Sequence, residues 1–130
     1  MTRALLFTLT LALLSTGLSA CKTTGGAHGG LSAEAKRLVG SWRNSGGSGP
    51  AYVIERIRGD IVCTSAVDYD DEVFEIQAST WTGSEFRFKY LVPSTGYIVS
   101  VTTDTIGQDE VMLNWENQYD SGTDTMVRVK

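Results

Sequence analysis

The chain has 130 residues and a formal net charge of −4, with 11 Lys and Arg against 15 Asp and Glu and a single His. An acidic chain with no basic cluster argues against a nucleic-acid partner and against a cationic face that lies on anionic lipid. The length holds one domain, and one histidine with 2 cysteines cannot build a His/Cys metal cluster.

The first element is a leader. Arg3 precedes an apolar run from Ala4 to Leu14, and Leu18-Ser19-Ala20 puts small residues ahead of Cys21. That order is the charged, apolar and cleavage region of a secretory signal peptide. The run is too short to cross a bilayer as a helix, which takes about 20 apolar residues. A cysteine directly after the small residues resembles the lipobox of bacterial lipoproteins. The resemblance implies loss of residues 1–20 and a lipidated Cys21 carrying several acyl chains. Each buried methylene contributes about 0.8 kcal/mol, so several chains anchor stably where one does not. Lys22 rather than Asp follows the cysteine. In that family this implies the outer membrane, so the expected location is the cell envelope, lipid-anchored and facing the periplasm. The alternative is a plain secretory signal with a cysteine at its cleavage point.

Residues 21–32 read as the lipidated cysteine and a Gly-rich flexible tether. His28 lies there between small residues with no orienting partner. The domain is expected over 33–130. Ser32 is placed to cap a short helical turn from Ala33 to Leu38. Beyond it the pattern is period two. Strands are expected at Gly40–Arg43, Tyr52–Arg58, Ile61–Val67, Val73–Gln77, Phe86–Tyr90, Tyr97–Thr103, Val111–Trp115 and Thr125–Val129. Turn signals separate them, among them Gly59-Asp60, Thr82-Gly83, Pro93-Ser94-Thr95-Gly96, Gly107-Gln108-Asp109 and Asp120-Ser121-Gly122. About eight short strands with turns every eight to twelve residues predict an all-β, antiparallel up-and-down barrel, with a β-sandwich as the alternative. No helical stretch is long enough for a parallel crossover. The alternation puts Phe86, Phe88 and Tyr90 on one face, Tyr97, Val99 and Val101 on one face, and Val111, Leu113 and Trp115 on one face.

With Cys21 taken by the anchor, Cys63 has no partner for an intramolecular disulfide. Its setting in Ile61-Val62-Cys63-Thr64 fits a small buried hydrophobe, with a reactive thiol as the alternative.

Leu38-Val39-Gly40-Ser41-Trp42-Arg43 is a helical turn followed by Gly-x-Trp on the first strand. This resembles the opening of lipocalin-type barrels. The resemblance implies that Trp42 plugs one barrel end and that Arg128, on the last strand, lies across its indole by cation–π stacking. It also implies a small apolar ligand or lipid in an interior lined by residues such as Ile54, Phe74, Phe88 and Leu113. A domain shorter than usual lipocalins implies a smaller interior, with a filled one as the limiting case. The other reading makes Trp42 a core residue of some other small β fold.

No catalytic residues, metal ligands or cofactor are expected: the serines have no base beside them. The acidic run Asp68-Tyr69-Asp70-Asp71-Glu72 fits either a calcium ligand set or a solvated hairpin tip. Tyr69, Trp81, Tyr97, Trp115 and Tyr119 lie near turns and either rim a mouth or partner surface or staple strand ends. The expected role is binding, with the membrane as partner through the lipid anchor. The alternatives are a protein-binding module such as a periplasmic lysozyme inhibitor, or an accessory or assembly lipoprotein. Ser94-Thr95-Gly96-Tyr97 loosely resembles the inhibitor loop of the former, with different spacing and without the disulfides usual there.

Overall fold

The structure is a computed structural model that describes residues 30–130. The leader, Cys21 and most of the tether lie outside the described residues. The chain enters through a single-turn-and-a-half helix, α1 (Ala33–Leu38), where the Ser32 hydroxyl accepts from the Ala35 amide at 3.2 Å. Ala35 and Leu38 are fully buried beneath it.

Eight strands follow: β1 (Gly40–Asn44), β2 (Ala51–Ile57), β3 (Asp60–Val67), β4 (Glu75–Trp81), β5 (Phe86–Val92), β6 (Tyr97–Ile106), β7 (Glu110–Glu116) and β8 (Ser121–Arg128). They form one antiparallel sheet in the order β3-β2-β1-β8-β7-β6-β5-β4. Each strand pairs with its sequence neighbour except β3 with β4, and the first strand pairs with the eighth, Trp42 opposite Arg128. The sheet curls into a nearly closed up-and-down barrel.

The remaining seam lies between β3 and β4. At one end it is joined by a Val67–Val73 bridge and by the Phe74 amide donating to the Ala66 carbonyl at 2.9 Å. Further along, the Ser79 hydroxyl accepts from the Cys63 amide at 3.0 Å and stands in for a ladder bond. The β4 strand therefore starts later than the alternation around Val73 suggests, because residues 68–74 form the loop that zips this seam.

Three β-bulges shift the ladders, at Val53/Ile54 opposite Cys63–Ser65, at Ile76/Ala78 and at Thr103/Thr105. Each inserts one unpaired residue and moves the inward face by one position. In β3, Ile61 and Cys63 face inward before the bulge and Ala66 after it. Elsewhere the alternation holds: Phe86, Phe88 and Tyr90 are buried between exposed Arg87 and Lys89.

Two turns sit differently from their sequence signals. Arg58 and Gly59, both at positive φ, make a two-residue hairpin with Ile57 opposite Asp60. Gly122 is not in a turn: it lies in β8 opposite Trp115. A Cβ on it would meet the Trp115 indole at 2.8 Å, so the glycine serves close side-chain packing. The turn itself is 117–120, where the Asn117 carboxamide oxygen accepts from the Tyr119 and Asp120 amides, both at 2.8 Å.

Candidate functional site

The up-and-down path gives the barrel two unlike poles. Helix α1 and the connections 58–59, 82–85 and 107–109 lie at one, the connections 45–50, 68–74, 93–96 and 117–120 at the other.

The helix pole is shut. Trp42 is buried and its indole N–H donates to the Leu38 carbonyl at 2.8 Å, which ties β1 to the last residue of α1. The Arg128 guanidinium carbon sits 4.4 Å from the indole centroid. Its Nη1 donates to the Val39 carbonyl at 2.9 Å, its Nη2 to the Arg37 and Gln108 carbonyls, and its Nε to Gln108 at 3.2 Å. Asp109 lies 3.5 Å from Nε. One planar cation thus satisfies the open carbonyls of α1 and of the β6–β7 turn while covering the ring. Gly40 has φ +146°, and a Cβ there would strike the guanidinium. The glycine of Gly-x-Trp is required by the arginine that crosses it.

The interior below mid-height is filled. Ile54, Phe88 and Leu113 meet Leu38, Trp42 and Met126 around a void of about 10 Å³. That is no more than a single water and the lining is apolar, so the void stays dry. Phe74 is not part of it. It stacks on Tyr90 at 4.7 Å between centroids, nearer the other pole. The four residues expected to line one ligand cavity are therefore divided. All four are buried, but only three meet in the filled interior, because a barrel of strands this short brings their side chains into mutual contact.

The opposite pole holds a cup of about 320 Å³. Its floor is the Tyr52–Tyr90 pair, whose hydroxyls are 3.2 Å apart. Phe88 packs edge-on beneath Tyr52, with centroids 5.0 Å apart. Phe74, Tyr97 and Trp115 form walls, and Asp68 and Asp124 contribute carboxylates. Burial pushes the pKa of both floor phenols up, with Asp124 adding to the effect; Tyr90 is pushed up to about 12. Both are neutral hydroxyls over the physiological range. At the rim Tyr97 leans on Tyr119 at 5.1 Å, and Tyr69 and Tyr119 are largely exposed. Of the aromatic residues singled out near turns, Trp81 alone stands away from this pole, at the far end of β4.

The acidic run 68–72 forms a hydrogen-bonded loop. The Asp68 amide donates to the Glu72 carbonyl at 2.8 Å, Asp68 and Asp70 carboxylates accept from the Tyr69 and Glu72 amides, and Glu72 accepts from Ser94. Among the described residues no group of three or more His, Cys, Asp or Glu is arranged to hold a metal ion. Cys63 is buried in the barrel wall, its thiol pushed up to about 12 by burial.

Sequence reasoning missed Asp124, Tyr52 and Tyr90 as site residues. The signal was present in part: Asp124 shares the inward face of Met126, an apolar-strand position where a carboxylate is out of place. No family model matches the chain, no curated protein matches it, and no solved structure matches its fold.

Proposed function

We propose that this protein is a lipid-anchored binding protein of the bacterial cell envelope, lipocalin-like in plan, which acts by binding and not by catalysis. The observation that carries the reading is the aromatic cup of about 320 Å³ at the pole opposite α1. Ligand sites are concave, largely apolar and set with a few polar groups, and about 300 Å³ is the lower end of their usual size. With the lower interior filled, the occupant is a small molecule or the end of a larger one, and a whole acyl chain has no room. The Trp42–Arg128 plug supports the lipocalin-like comparison.

The anchoring at Cys21 rests on the leader alone. The described chain enters at the shut pole, opposite the cup. Replacement Cys21→Ala is expected to move the protein from the membrane to the soluble fraction; retention in the membrane would reject the anchor.

The binding role is tested by a native mass spectrum of the full chain extracted from envelopes. A reproducible extra mass that is lost on denaturation is the expected result. The second reading, a protein-binding module such as a lysozyme inhibitor or an assembly subunit, is favoured by the exposed Tyr69 and Tyr119 around the mouth. A bare polypeptide mass together with a crosslinked partner would establish it in place of the first.

A further inference from the structure

We infer that the cup selects a small organic cation, an amine or quaternary ammonium, over a neutral ligand of the same shape; this deepens the binding reading above and rests on it. Four observations converge. The cup is lined by five aromatic side chains, Tyr52, Phe74, Tyr90, Tyr97 and Trp115, of which Tyr97 and Trp115 are the more exposed. Aromatic faces carry negative quadrupole density and attract cations, most strongly when several surround one site. Asp68 and Asp124 line the same cup, and no Lys, Arg or His does. Asp124 faces inward from β8, and among the described residues none donates a hydrogen bond or an ion pair to its carboxylate. A half-buried carboxylate without a protein partner is completed by water or by a cationic ligand.

The surroundings have the same sign. The connections 45–50, 68–74, 93–96 and 117–120 contain Asp68, Asp70, Asp71, Glu72 and Asp120, and no Lys, Arg or His. Arg43, on the nearest strand, is exposed on the outer wall. Lys36, Arg37, Arg58, Arg128 and Lys130 all lie at the shut pole. The mouth is thus a one-sign field that concentrates cations and repels anionic headgroups. Only two carboxylates reach the cup, and the rest of its wall is aromatic and aliphatic with a few hydroxyls and the Asn44 and Asn117 carboxamides. That composition suits an organic ammonium, which is satisfied by ring faces, better than a hard metal ion, which takes six or more oxygens.

The test is a titration of the full chain with choline and with its uncharged isostere 3,3-dimethylbutan-1-ol, read on the indole N–H resonances. Trp115 reports the cup. Trp42, hydrogen-bonded at the other pole, is the internal control. Choline is expected to shift Trp115 and leave Trp42 still, with the alcohol binding about tenfold or more weakly. Asp124→Asn is expected to weaken choline about tenfold. Asp68→Asn, at the rim, supplies a second variant should the first fail to fold. Equal binding of the two probes would overturn the cation preference and leave the binding role standing. Binding of neither probe, with a bare native mass, would overturn both.

Discussion

The Arg128 guanidinium joins two segments far apart in the chain, through the carbonyls of Arg37 and Val39 on one side and of Gln108 on the other, and lies over Trp42. Arg128→Gln removes the cation–π contact and leaves several carbonyls without donors. It is expected to cost about 2–4 kcal/mol in urea unfolding, and a loss below about 1 kcal/mol would show that the plug does not stabilise the fold. Arg128→Lys is expected to recover little, since one ammonium cannot span the fork. Gly40→Ala should be comparably harmful, through its φ of +146° and its collision with the same guanidinium. Burial raises the Cys63 thiol from 9.0 and the Tyr90 phenol from 10.0, each to about 12. The folded state therefore favours their neutral forms. The Cys63 contribution is complete below about pH 9 and the Tyr90 contribution below about pH 10, and each is lost as pH rises from there toward 12, at about 1.4 kcal/mol per pH unit. Urea midpoints are expected to fall between pH 8 and 10.5, and Cys63→Ala to flatten the first part of that fall. The folded protein should also resist thiol reagents at pH 8. Trp42 and Arg128 were legible through Gly-x-Trp after a helical turn, whose resemblance to the opening of lipocalin-type barrels implies an arginine of the last strand across the ring. Asp124 and the Tyr52–Tyr90 pair were not, because their meeting depends on curvature across strands β2, β5 and β8.

At the scale of elements, strand number, hairpin order and most inward positions followed from alternation alone. The departures are concentrated at the three bulges and at β4. Alternation carries no mark of an extra residue, so Thr64, Gln77 and Asp104 slip by unseen while the inward face changes phase. The seam between β3 and β4 has the same cause: Ser79 faces inward after the bulge and reaches the Cys63 amide. Ser79→Ala is expected to cost about 1 kcal/mol and to speed hydrogen exchange at the Cys63 amide well beyond that at neighbouring amides. Unchanged exchange there would mean the seam is held without it. Gly122→Ala is a test of a different element pair. It should displace the Trp115 indole, shrink the cup and change Trp115 fluorescence, while leaving the Trp42 plug in place.

Across the whole molecule the two poles divide the labour. One is closed by α1, Trp42 and Arg128 and gives a packed interior. The other is open, acidic and ringed by aromatic side chains. The division also has a consequence in time. The β1–β8 pairing joins the two ends of the chain, and Val39 and Arg128 are separated by 89 positions. A chain emerging from its N-terminus makes seven strands in order, each able to pair with the one before where the ladder allows, and none able to close. Throughout that interval the free edge of β1 and the edge of the newest strand stay open to other chains. A version ending before Thr125 is expected to show no cooperative unfolding and a freely reactive Cys63. The plug therefore joins the two ends of the chain, and the continuous sheet from β3 round to β4 exists only with the last strand in place.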